Sequence, residues 1–172
     1  MQRSFALVPL IGIALLGLGA SAFGADRGMA RLQGYSEVPA IASAASGSFK
    51  VTVHEHDAAI DYTLSYTGLE ADVRQAHIHL GQPSVSGGVM LFLCQTTFNP
   101  DPTGLAPTCV QDGSVSGTIT AANVIGPTGQ GVDAAEFAEV VRAIRSGVAY
   151  ANVHTVKFAS GEIRGQISLK TE

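Results

Sequence analysis

Apolar and polar residues alternate along much of the chain. Phe49, Val51 and Val53 are interleaved with Lys50, Thr52 and His54. After the turn-like HDAA, Ile60, Tyr62, Leu64 and Tyr66 are interleaved with Asp61, Thr63, Ser65 and Thr67. A period of two sends successive side chains to opposite faces of a strand, so the pair predicts a hairpin with one apolar face. Residues 73–80 alternate again, with Ala76, Ile78 and Leu80 on one face and His77 and His79 on the other. Val89 to Leu93 is continuously apolar after Gly87-Gly88, the pattern of a strand covered on both sides. Residues 113–120, 148–156 and 162–169 complete the set of expected strands.

One segment departs from this period. Asp133-Ala-Ala-Glu136 reads as a capping box in which the Asp side chain accepts from open backbone N–H groups. Phe137, Val140, Val141 and Ile144 follow at helical spacing, and Gly147 stands where helices commonly stop. The chain is therefore expected to be mainly β, an antiparallel β-sandwich or barrel of immunoglobulin-like or superoxide-dismutase-like kind. A single short α-helix is expected near 133–146.

The N-terminus changes the compartment. Met1-Gln2-Arg3 is a basic tip, residues 5–25 carry no charge, and the stretch ends in small residues. These are the parts of a secretory signal peptide, so the expected division is a signal peptide over 1–25 and one domain over 26–172. Cleavage after Ala22, Gly24 or Ala25 fits equally, and an uncleaved anchor is the alternative. The expected location is periplasmic or extracellular, with no stable membrane insertion once the signal is removed.

Arg3 is the only charge before residue 25, so the remainder carries 9 basic and 14 acidic side chains, 9 − 14 = −5. An acidic surface without a basic run excludes nucleic acid as a natural partner and disfavours anionic lipid. Cys94 and Cys109 are the two cysteines. In an exported chain their default is one disulfide, closing the polar loop QTTFNPDPTGLAPT and stabilising it by roughly 3 kcal/mol.

Four sequence elements then resemble a known family. GYSEVP at 34–39, His77-Ile78-His79 with Gly81, VAYANVHT at 148–155 and GEIRGQI at 161–167 are similar, in order and spacing, to elements of the CHRD (chordin) domain. The resemblance covers residues 30–169. It implies a single exported domain and supplies no catalytic residues. The cysteine-rich modules that accompany the domain in chordin are missing, so growth-factor binding does not carry over.

The histidines are the candidate chemistry. Two histidines one residue apart on a strand share a face, about 6–7 Å apart along the chain. His154 lies on another expected strand with Asn152 on its face. If the two strands adjoin, His77, His79 and His154 form a three-nitrogen site suited to Cu or Zn. The alternative is a neutral hydrogen-bonded polar cluster with Asn152, Thr155, Glu162 and Arg164. Glu162 and Arg164 share a face by period two and are expected to form a partly buried ion pair.

The HxH strand followed by a later strand histidine is also similar to the copper half of Cu/Zn superoxide dismutases. Residues 80–153 contain no histidine, however, and so lack the bridging ligand and zinc cluster of those enzymes. His54, Glu55, His56 and Asp57 read as a solvated hairpin tip or a surface metal site. No G-x-S-x-G, H-E-x-x-H or phosphate-binding Gly-rich loop is present.

Three functions follow from this reading. The first is a non-catalytic binding or scaffold domain with a protein or glycan partner. The second is a copper- or zinc-binding protein, redox-active in one form. The third is an extracellular matrix or adhesion component, for which the loop at 94–109 is the candidate contact surface.

Overall fold

A computed structural model describes residues 25–54 and 58–170. The expected signal peptide lies outside the described residues apart from Ala25, as do Glu55, His56 and Asp57 of the hairpin tip. No helix among the described residues is long and apolar enough to cross a membrane.

Alternation translates directly into strands. β2 (Ser46–His54) and β3 (Ala59–Thr67) form the expected hairpin, with Phe49, Val51, Val53, Ile60, Tyr62, Leu64 and Tyr66 all inside. β4 (Val73–Leu80), β5 (Gly88–Cys94), β6 (Gly113–Ile119) and β7 (Ala149–Thr155) lie where the pattern puts them. The last expected strand is split in two, β8 (Ile163–Gln166) and β9 (Ser168–Leu169). At the break the Ile167 amide donates to the Ala149 carbonyl, while β9 pairs with β1 (Asp26–Gln33). β1 itself has no clear sequence signal, because only Ala30 and Leu32 are buried along it and Met29 faces solvent.

All named pairings are antiparallel, in the order β5-β4-β7-β8-β1-β2-β3-β6, and the sheet curls into a nearly closed barrel. Its ends, β5 and β6, approach each other. The Tyr62 hydroxyl on β3 donates across the interior to the Leu93 carbonyl on β5 at 2.5 Å. Gly117 on β6 makes room for that ring, since a Cβ there would stand 2.8 Å from the Tyr62 oxygen. The chain after β6 returns along β5, where the Ile125 amide donates to the Met90 carbonyl.

The single α-helix among the described residues, α1 (Phe137–Arg145), buries Val140, Val141, Ala143 and Ile144 and packs on β7 and β9. It begins later than the capping pattern implies. Ala135 has a positive φ, and the Asp133 side chain makes no cap; instead Glu136 Oε2 accepts from the Asp133 amide at 2.8 Å. Half of the capping box is thus present, used to fold a turn ahead of the helix. Gly147 ends it at φ 67, donating to the Ile144 carbonyl.

Cys94 and Cys109 are joined in a disulfide. Inside the loop they close, Asp101 accepts from the Thr103, Leu105 and Ala106 amides and the Thr103 hydroxyl, which fixes the otherwise irregular backbone.

Candidate metal centre

β7 is buried at all seven positions. Ala149, Ala151 and Val153 face the apolar interior, so Tyr150, Asn152 and His154 must lie on the outer face, where the strand period places them. β4 pairs with β7 and contributes His77 and His79 to the same face. His77 stands opposite Asn152, and His79 stands opposite Tyr150. Loops 34–45, 81–87 and 156–161 bond to this layer through Glu37, Gly87 and Ala159, and His77, His79 and His154 are all buried.

The three rings converge. Each offers a nitrogen, and these atoms lie within 4.8 Å of one another. The ring centroids are separated by 5.3 Å (His77 to His79), 4.9 Å (His77 to His154) and 5.7 Å (His79 to His154). His79 Nδ1 donates to the Gly87 carbonyl at 3.0 Å, and His154 Nδ1 donates to the Ala159 carbonyl at 3.0 Å. Each bond fixes a tautomer and puts the ring's lone pair on Nε2. Backbone carbonyls of this kind commonly orient histidine ligands. His77 Nδ1 and His154 Nε2 are 3.2 Å apart. With the His154 proton on Nδ1, His77 Nδ1 donates to His154 Nε2, which leaves the lone pair of His77 on Nε2.

Two atoms are left over. His77 Nε2 and His79 Nε2 are buried and have no hydrogen-bond partner among the described residues. Such groups are uncommon in folded proteins because desolvation without a partner costs about 1–3 kcal/mol. Burial drives all three imidazoles to stay neutral: His77 is pushed down to about 2, and His79 and His154 to about 4. The neighbouring rings add to this for His77, as do Arg164 for His79 and Arg74 for His154. Neutral imidazole is the ligating form, so no proton has to be displaced at ordinary pH.

The expected polar cluster separates into two groups. Asn152 donates to Glu37 Oε1 at 2.5 Å and to the Ile163 carbonyl at 2.9 Å. Thr155 instead donates to Glu162 Oε2 at 2.7 Å. Glu162 is wholly buried, and its Oε1 takes the Ser43 hydroxyl and the Glu70 amide. It therefore ties three segments together and does not pair with Arg164, as period two had implied. Glu162 precedes β8, where the extended register that would align the two side chains has not begun. Arg164 donates to the Val85 carbonyl at 3.1 Å, and its guanidinium lies 3.7 Å from the centre of the Tyr150 ring.

Glu37 is the carboxylate on which Arg164 acts. Burial raises it to about 7, against the opposing pull of the Asn152 bond and the Arg164 charge. Gly161 makes this contact possible: at φ 131, a Cβ would stand 2.6 Å from Glu37 Oε1 and 2.7 Å from Asn152 Nδ2.

Tyr150 has no assigned role in the sequence reading, yet its ring stacks parallel to His79 at 4.8 Å. Its oxygen accepts from the Gly87 amide at 3.0 Å. The signal was present in VAYANVHT, where period two puts Tyr150, Asn152 and His154 together. His54 is elsewhere, bonded to Asp61 at 3.0 Å on the hairpin.

No curated protein and no solved structure matches the chain. A family model does, over residues 29–167 and thus through every element of the site, and the chain belongs to the CHRD domain family.

Proposed function

We propose that this chain is an exported metal-binding domain in which His77, His79 and His154 hold one copper or zinc ion. The observation that carries the reading is the pair of buried, partnerless Nε2 atoms of His77 and His79, with Nδ1 of His79 and of His154 fixed by backbone carbonyls. A purely structural polar cluster would satisfy those atoms. A bound ion accounts for them. The intramolecular disulfide fits an oxidising compartment outside the cytosol.

The proposal is of binding; no acid, base or nucleophile for a further reaction is assigned. The test is the metal content of purified folded protein after exposure to Cu²⁺ and Zn²⁺, beside a His77→Ala, His79→Ala double variant. One ion per chain, absent from the variant, supports the site. No retained ion in the wild type under oxidising or reducing conditions would return the histidines to a purely structural role. The search would then turn to protein or glycan partners of a scaffold domain.

A further inference from the structure

We propose that the three-histidine site selects monovalent copper, Cu(I), over Cu²⁺ and Zn²⁺. This deepens the metal-binding reading and rests on it. Three features of the site point the same way.

The donor set is three neutral imidazoles, and among the described residues no carboxylate or thiolate joins the group. A divalent ion would keep its full charge in a buried setting. The nearby carboxylates are committed elsewhere: Glu37 to Asn152, and Glu162 to Ser43, Glu70 and Thr155.

A positive charge stands close to the site. Arg164 lies over Tyr150, which stacks on His79. That guanidinium disfavours a second positive charge on an ion held beside it.

The site is also closed. The free nitrogens of His77 and His79 are sealed from solvent, and the Phe92 ring stands edge-on to His77 at 4.2 Å. Zn²⁺ takes four ligands, and Cu²⁺ prefers a tetragonal set. A closed shell of three nitrogens offers neither, whereas a d¹⁰ monovalent ion accepts three ligands and brings half the charge.

The test compares ions on the wild-type protein. Cu(I) is titrated under argon with ascorbate against bicinchoninate, and Cu²⁺ and Zn²⁺ are titrated in air against nitrilotriacetate. The expected result is one Cu(I) per chain, bound more tightly than either divalent ion and lost in the His77→Ala, His79→Ala variant. Arg164→Gln should narrow the Cu(I) preference, by roughly tenfold for one unit charge at this range. Equal or tighter binding of Cu²⁺ or Zn²⁺ overturns the selectivity and leaves the three-histidine site standing. Cu(I) retained by the double variant also overturns it, by placing the ion elsewhere. Failure of all three ions to bind removes both the selectivity and the site.

Discussion

The two outer faces of this barrel are built from the same alternation and have opposite fates. On β3 and β6 the outward residues meet water. Thr63 pairs with Ser116 at 3.0 Å, Ser65 with Ser114 at 2.6 Å, and Thr118 donates to Asp61 at 2.7 Å. These are cross-strand pairs of small polar side chains, each contributing a fraction of a kcal/mol. On β4 and β7 the outward residues are His77, His79, Tyr150, Asn152 and His154, roofed by loops and nearly all removed from water. The first face tolerates an unmet hydrogen bond because water replaces it. The second must account for every polar atom, and the atoms it leaves over mark the candidate site.

Substitutions on the two faces should separate sharply. The largest effect is expected at Glu162. Glu162→Ala strands the buried Ser43 and Thr155 hydroxyls and frees the half-buried Glu70 amide, so a loss of about 3–5 kcal/mol should appear in urea unfolding. A loss under 1 kcal/mol would mean that the roof is not fixed by this carboxylate.

Gly161→Ala comes next, at about 2–3 kcal/mol, from a strained φ and the collision with Glu37 and Asn152. Pairing it with Glu37→Ala, which removes the atom it strikes, should recover part of the loss; full additivity would contradict the contact.

Acid should reach the buried face first. The imidazole values of His77, His79 and His154 lie below the ordinary 6.5 in the folded protein. Their contribution to metal-free stability is therefore complete above pH 6.5. It is lost as pH falls towards about 4, because the unfolded chain takes up protons that the folded one refuses. The decline should be on the order of a few kcal/mol across that window, and much reduced in the His77→Ala, His79→Ala variant.

Glu37 works in the reverse sense. Its folded value of about 7 lies above the ordinary 4.5, so its contribution is full below 4.5 and lost as pH rises through 7. Glu37→Gln should remove that alkaline-side decline in a chemical-denaturation series at pH 5 to 8.

The smallest effect belongs to the open face. Thr63→Ala or Ser116→Ala should shift stability by no more than about 0.5 kcal/mol in the same urea assay.

The strand pattern carried the barrel because one face of each strand is uniformly apolar: Ile60, Tyr62, Leu64 and Tyr66 admit no other register. It did not carry β1, where Asp26, Arg27 and Arg31 share eight residues with only two buried side chains. Nor could alternation tell the two outer faces apart, since a polar residue at every second position reads identically whether water or a loop lies above it. Residue type held the remaining information. His77, His79, Asn152 and His154 can be named from the sequence, and strand adjacency brings them together. The division of Asn152 and Thr155 between Glu37 and Glu162 is set by where loops 34–45 and 69–72 return, which no local period encodes.

The near-closure of the sheet has a consequence for self-association. An open sheet ends in two strands whose unpaired amides and carbonyls can recruit another chain, the usual route to edge-to-edge aggregation. Here β5 and β6 turn towards each other, the Tyr62 hydroxyl occupies the Leu93 carbonyl and the segment after β6 occupies that of Met90. That arrangement makes protection from edge-to-edge pairing a property of topology, independent of the three-histidine site.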